Sequence, residues 1–342
     1  MGFSIGQLFK LGIILPSRPK LEGPLSINDR LKDVEYILNG EVNGPESLVV
    51  EGDSIYTGLY DGRVVHIKSG KVVKEVRFTK HKNCGSYETE PLCGRPLGIR
   101  RLNANEFVVA DAYLGIFVVN MMTECLLNRY LPEDCRQQGA NRRTLHAVPE
   151  RCGGMLCEKC TEIRLLKHKI STGKTDVLLD NLNLPNGIQL HPDGNSLLFA
   201  ECNEARIMRL DLSTNKVTPF ATNLPGLPDN IRLGADNTLW VGLAGVRHAD
   251  ALSLVDAAGA YPMIRQVLLD FVPPHWWIKY LEMLRPPHAM ILRLNAGGEI
   301  IESMHDTTGT HIKDVSQVTQ AGDYLYFGSF HNKYIAKLYI GD

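Results

Sequence analysis

The sequence predicts an all-β fold, a six-bladed β-propeller. Two observations carry that prediction. A strand–turn–strand phrase recurs along the chain, and the recurrences fall at roughly 45-residue intervals, the length of one four-stranded blade. The phrase starts with Pro or a polar residue and an apolar stretch. A Gly/Asp/Asn turn follows, then an alternating strand that ends in small or acidic residues.

The elements follow in order. The phrase reads PESLVVEGDSIYTGLYDGRVVHI from Pro45, RPLGIRRLNANEFVVADAYLGIFVV from Arg95 and LPNGIQLHPDGNSLLFAECNEARIMRL from Leu184. It returns as LPDNIRLGADNTLWVGLAG from Leu227 and VSQVTQAGDYLYFGSFHNKYIAKL from Val315. Glu46, Pro96, Asn186, Asp229 and Ser316 serve as phase markers, with two intervals of double length, so the count is six units. DVEYILNG at 33–40 is expected to pair into the blade that ends the chain, which removes an exposed sheet edge. The domain boundaries read as an N-terminal segment over 1–32, a remnant of a signal or anchor, and one propeller over 33–342.

Two units are poorly written. The third should begin near residue 140, yet Pro132 to Cys160 lacks strand alternation and is rich in breakers. This irregular third blade resumes at TEIRLLKHKISTGKTDVLL. The fifth is interrupted between Gly245 and Pro287, where PPHWWIKYLEMLRPP has apolar residues at helical spacing. That spacing predicts a short helical insertion near 270–285, opened by Pro273 and Pro274 and stopped by Pro286 and Pro287. Packing, a lid and a membrane-surface contact are all compatible with it.

Composition narrows the class. The chain has 342 residues, net charge −1, 44% hydrophobic and 22% charged residues, ordinary for a globular protein. Nothing in that balance supports a nucleic-acid partner. The basic cluster RQQGANRR, Arg136 to Arg143, reads as a solvated loop or an anion contact. No apolar run reaches the roughly 18–20 residues of a membrane span. Gly6 stands where a myristoylation motif needs Ser or Thr, and no N-x-[ST] acceptor occurs.

Eight cysteines fit either a secretory disulfide set or a cytosolic metal site. Cys84 and Cys93 bracket a short loop that a disulfide could close. Cys135, Cys152, Cys157 and Cys160 leave zinc, disulfides and free thiols open, although the paired C-x2-C of a strong zinc motif is missing. Cys125 and Cys202 complete the set.

Four polar residues stand at equivalent points of successive inner strands: Glu46, Asn186, Asp229 and Asn230. Inner-strand starts converge on one end of a propeller's tunnel, and carboxylate and amide oxygens are the hard donors calcium prefers. One such residue alone would be a turn cap; several in one phase point to a site. A bound cation would polarise an ester, lactone or phosphoryl oxygen, and Asp229 would serve as nucleophile or general base. There is no G-x-S-x-G elbow and no Gly-rich phosphate loop. His191, in the turn QLHPDG, reads as exposed rather than catalytic.

GPES at 44–47, DGRVV at 61–65, CGRPLGIR at 93–100, VADAYLGIF at 109–117, LPNGIQLHPDG at 184–194, LPGLPDNIR at 224–232 and YLYFGSF at 324–330 resemble strictosidine synthase-like proteins. The likeness is to the branch of adipocyte plasma membrane-associated proteins and runs over about 35–340, except 121–160 and part of 245–290. It implies a six-bladed propeller related to paraoxonases and diisopropyl fluorophosphatases, with one tunnel calcium held by Glu46, Asn186, Asp229 and Asn230. It also implies a Cys84–Cys93 disulfide, arylesterase-type hydrolysis and an N-terminal membrane anchor.

Three departures stand out. The third-blade Asn-Asp pair is absent, which removes one expected ligand. Ser316 or Gln317 stands where the synthase branch has its catalytic Glu, so amine–aldehyde condensation by that route is not expected. The anchor is shortened or lost. The expectation is therefore a calcium-assisted hydrolase of small esters or lactones, in the secretory pathway or at a membrane. Its rival is a catalytically inactive propeller that serves as a binding scaffold.

Overall fold

A computed structural model describes residues 14–130, 163–251, 253, 256, 257, 261 and 286–341. Strands dominate, and they are grouped into six sheets in chain order. The first holds β2 (Leu48–Glu51), β3 (Ser54–Gly58), β4 (Arg63–Lys68) and β5 (Lys71–Arg77). The second holds β6 (Pro96–Arg101), β7 (Glu106–Asp111), β8 (Gly115–Asn120) and β9 (Cys125–Tyr130). The third is a hairpin of β10 (Ile163–Lys169) and β11 (Lys174–Leu182).

The fourth sheet holds β12 (Pro185–Leu190), β13 (Ser196–Glu201), β14 (Arg206–Asp211) and β15 (Val217–Ala221). The fifth holds β16 (Gly226–Leu233), β17 (Leu239–Val246), β18 (Ala289–Leu294) and β19 (Ile300–Asp306). The sixth holds β20 (Gln317–Ala321), β21 (Tyr324–Gly328) and β22 (Ile335–Tyr339), with β1 (Glu35–Ile37) on its outer edge.

The all-β propeller is as expected, but the count of six complete blades is corrected. Among the described residues there are five four-stranded blades, with the two-stranded hairpin β10–β11 in third place. The stretch with too many breakers for a buried inner strand, with Cys135, Cys152, Cys157 and Cys160, lies outside the described residues, as does the helix expected near 270–285. Ring closure is as the sequence indicates. β1 pairs antiparallel with β22, Tyr36 opposite Ala336.

Packing explains why the phrase repeats. Among the described residues five seams between neighbouring sheets have their own apolar cluster, because a sheet buried on both faces needs a partner on each. Tyr56, Val64, Ile99 and Phe107 fill the seam between the first and second sheets. Leu198, Ile231, Val241 and Met290 fill the one between the fourth and fifth. Trp240, Met304, Leu325 and Phe327 join the fifth to the sixth, and Leu48, Ile55, Tyr326 and Ile335 join the sixth to the first. Leu165, Phe199 and Leu210 join the third hairpin to the fourth sheet.

The hairpin turns follow the Asx rule. Asp193 Oδ1 accepts from the amides of Asn195 and Ser196, both at 2.9 Å, and Asp211 Oδ1 does the same for Ser213 and Thr214. His191, expected at the surface, is buried at 6% exposure. Its Nε2 reaches the Ala296 carbonyl at 2.9 Å, so a contact from the fifth sheet covers it.

Candidate functional site in the central tunnel

The inner strands β2, β6, β12, β16 and β20 are in register as one repeated pentad. It reads Pro45–Val49, Pro96–Arg100, Pro185–Gln189, Pro228–Arg232 and Val315–Thr319. The fourth residue of each enters a seam: Leu48, Ile99, Ile188, Ile231 and Val318. Register shifts between the first and fourth positions of β6, β12 and β16 break the alternation there, so the second position need not share the fourth's seam.

The second tier of the pentad holds Glu46, Asn186, Asp229 and Ser316. Close backbone approach fixes it. A Cβ on Gly328 would overlap the Glu46 carbonyl oxygen, and one on Gly187 would overlap that of Asp229, so only glycine lets these sheets meet. The Asn230 amide donates to the Ser316 carbonyl at 2.9 Å. Glu46, Asp229 and Asn230 are buried, at 6%, 3% and 6% exposure, and Asn186 is half-buried. Asn230 Nδ2 is buried without a hydrogen-bond partner among the described residues.

Sequence reasoning missed Cys202. It follows β13, is buried, and donates from Sγ to the Pro228 carbonyl at 2.7 Å. Burial pushes its thiol pKa well above the ordinary value; Asp229 and Glu46 push the same way, and a hydrogen bond with Asn186 opposes them. The Cys202 thiol therefore sits among three of the four residues singled out, and its high pKa keeps it a protonated bystander. Two buried carboxylates acting on one thiol, with amides beside them, form an all-oxygen set of the kind a calcium ion takes. The set fits that ion, because like charges held together in a buried place are relieved by a cation.

Two arginines were also missed. Arg232 is 7% exposed, with Nη2 donating to Ser47 Oγ at 2.9 Å and to Gln317 Oε1, and Nη1 to the Ile231 carbonyl at 2.8 Å. Gln317 Nε2 completes the web with bonds to the Leu48 carbonyl at 2.7 Å and Thr319 Oγ1 at 2.6 Å. Arg100 reaches from β6 to the Ile188 carbonyl on β12 at 3.2 Å, so the second and fourth sheets touch directly. Its side chain is solvent-accessible yet enclosed by the walls, and desolvation lowers its pKa to about 10. Burial, then the charge of Arg100, lowers that of Arg232, while Asp229 and Glu46 oppose.

The Cys84–Cys93 bond is present, with Cα atoms 5.8 Å apart. It closes the loop that carries Glu90, with Arg95 two residues beyond, both buried; Tyr113 donates to Glu90 at 2.9 Å and Arg95 to the Phe330 carbonyl at 2.7 Å. A further titratable cluster lies away from the axis, at the outer edge of the fifth sheet. His248 Nε2 meets His288 Nδ1 at 3.2 Å, His288 Nε2 meets His305 Nδ1 at 2.9 Å, and His305 Nε2 meets Ser303 Oγ at 2.8 Å. Ser303 donates to the Pro24 carbonyl at 2.7 Å, so the chain of bonds ends under the N-terminal segment.

Comparison with known proteins agrees with this layout. The chain is 32% identical over 353 residues to the adipocyte plasma membrane-associated protein of Salmo salar, covering 95% of this chain and 82% of that one. It belongs to the strictosidine synthase-like family, in the adipocyte plasma membrane-associated protein branch.

The Rattus norvegicus member of this branch is 31% identical over 341 residues, with 94% and 89% of the two chains covered. The family profile "Strictosidine synthase" matches residues 146–217, and "Strictosidine synthase-like, N-terminal" matches 23–67. The first match reaches into the stretch read above as departing from the family. Among solved structures, a calcium-binding regucalcin from Agrobacterium tumefaciens has a TM-score of 0.53 at 13% identity, covering 90% of this chain and 95% of that one. A gluconolactonase from Xanthomonas campestris has a TM-score of 0.54 at 12% identity, covering 97% of each. At those identities the likeness is one of fold. Among the described residues no helix is long and apolar enough to cross a membrane.

Proposed function

We propose that this propeller hydrolyses small lactones or esters at the mouth of its tunnel, with a calcium ion held by Glu46, Asn186, Asp229 and Asn230. The observation that carries the reading is the burial of Glu46 and Asp229 around one thiol, with Asn186 bonded to the same sulfur. The ion would supply Lewis-acid polarisation of the substrate carbonyl. Asp229 takes the proton of the attacking water; the water oxygen bonds to the carbonyl carbon, the ring or ester C–O bond breaks, and the departing oxygen collects the proton. Arylester substrates are the narrower form of the proposal, and lactones the broader form, which agrees with the solved gluconolactonase of like fold. The relatives' name and the disulfide favour a membrane surface or the secretory pathway.

The test is calorimetric calcium titration with parallel gluconolactone and phenyl acetate assays, with and without chelator. We expect one ion per chain, chelator-sensitive turnover, and loss of both in Asp229→Ala with the fold intact. Unchanged turnover in that variant removes the mechanism.

A scaffold without chemistry has one observation in its favour. Arg232 already offsets part of the charge of Glu46 and Asp229. Calcium binding with no turnover of either substrate class would support it.

A further inference from the structure

One tier below the carboxylates, the fifth position of the pentad holds Val49, Arg100, Gln189, Arg232 and Thr319. Two guanidiniums in one tier repel, and both stay protonated under ordinary conditions. The hydrogen bonds of Arg100 go to the carbonyls of Ile99, at 3.1 Å, and Ile188, at 3.2 Å, and those of Arg232 to Ile231, Ser47 and Gln317. Every acceptor is neutral. Arg232 Nε–H is buried and has no acceptor among the described residues. A buried donor left without an acceptor is costly, the more so when charged.

The tier is also reachable. Leu102, Leu190 and Leu233, at the far ends of their strands, are 42%, 47% and 46% exposed, and Arg100 beside them is accessible. Of the two guanidinium groups, Arg100 is the exposed one and Arg232, at 7% exposure, the buried one.

We propose that Arg100 and Arg232 form an anion site at the waist of the tunnel, which takes a small oxyanion between two guanidinium forks. The planar fork suits a carboxylate or phosphate edge, and a low-dielectric wall strengthens the attraction. The site stands apart from the calcium reading, because its residues differ. The two become linked when both are filled. A divalent cation on Glu46 and Asp229 removes the counter-charge of Arg232, so each ion raises the affinity for the other.

The test is isothermal titration with inorganic phosphate, and separately with acetate, in calcium-free buffer at fixed ionic strength. It is run on the whole chain and on Arg100→Gln, with melting temperature followed in parallel. A general salting effect raises both proteins' melting temperatures alike and drops out of the comparison. The proposal requires one phosphate or acetate per chain, a saturable rise in melting temperature, and at least a tenfold weaker dissociation constant in Arg100→Gln. Tighter phosphate than acetate assigns a free oxyanion, and the reverse assigns the carboxylate of an organic ligand. Absence of saturable binding by either anion, or equal binding in the variant, overturns it. Should Arg100→Gln not fold, Arg100→Lys keeps the charge and loses the fork, and unaltered affinity there also overturns it.

Discussion

Arg232 on β16 donates a 2.9 Å hydrogen bond to Ser47 Oγ, just ahead of β2, and so ties the fifth sheet to the first. The same guanidinium holds Gln317 of the sixth sheet, so one side chain joins three walls of the tunnel. Replacing it with an apolar residue leaves these partners and the carboxylates above them buried and unmatched. Arg232→Met is expected to lose about 1–3 kcal/mol, the range for leaving buried hydrogen-bond partners unsatisfied. Urea unfolding measures it, and a loss under about 1 kcal/mol would show that the web is not structural.

Gly328 lies against the backbone of Pro45 and Glu46 where the ring shuts. Gly328→Ala forces that backbone aside, and overpacking of this kind costs about 1–3 kcal/mol. The shift moves Glu46, so calcium affinity should fall with stability. A stable variant with unchanged affinity would contradict this placement of Glu46.

The histidine chain sets a pH response. Burial, then the neighbouring histidines, lowers the pKa of His288 and of His305 to about 4, against 6.5 in the unfolded chain. Between those values the unfolded state binds more protons, so stability is full above 6.5 and falls as pH drops toward 4. Asp111 opposes, because burial raises its pKa to about 6 and the folded state there favours the protonated form. Two imidazoles outweigh one carboxyl. Denaturant midpoints should fall from pH 7 to pH 4.5, and His288→Gln should flatten the slope. A flat wild-type profile would count against the chain of neutral imidazoles.

Reduction should loosen the rim of the second sheet. The Cys84–Cys93 bond closes a short loop, and its chain-entropy contribution is about 2–3 kcal/mol. Cys84→Ser is expected to lower the melting temperature and to speed proteolysis between residues 79 and 95. If neither changes, Glu90 and Arg95 hold that loop without the bond.

Much of this was legible in the sequence. The apolar fourth position of each pentad gave the seams, the Asp and Asn turns gave the hairpins, and residues 33–40 were placed correctly as the ring-closing strand. The tier of Glu46, Asn186 and Asp229 followed from the same phase. Arg100 and Arg232 were equally aligned, as the last letters of PLGIR and PDNIR, but phasing on Pro96 instead of Leu97 hid their shared tier. Cys202 and His191 were not legible, because each is buried by a strand or turn of the neighbouring sheet. The blade count failed at the third place, where nothing in Pro132 to Cys160 keeps a strand's alternation.

The pairing of Tyr36 with Ala336 has a consequence for synthesis. β1 leaves the ribosome well ahead of β22, so the seam can form only once every sheet between them has been translated. Until then the sixth sheet has no outer strand, and the flank of the first sheet that receives Tyr326 and Ile335 faces solvent. A nascent chain therefore keeps that apolar flank exposed until β22 emerges, and a stop ahead of β22 leaves the ring unclosed.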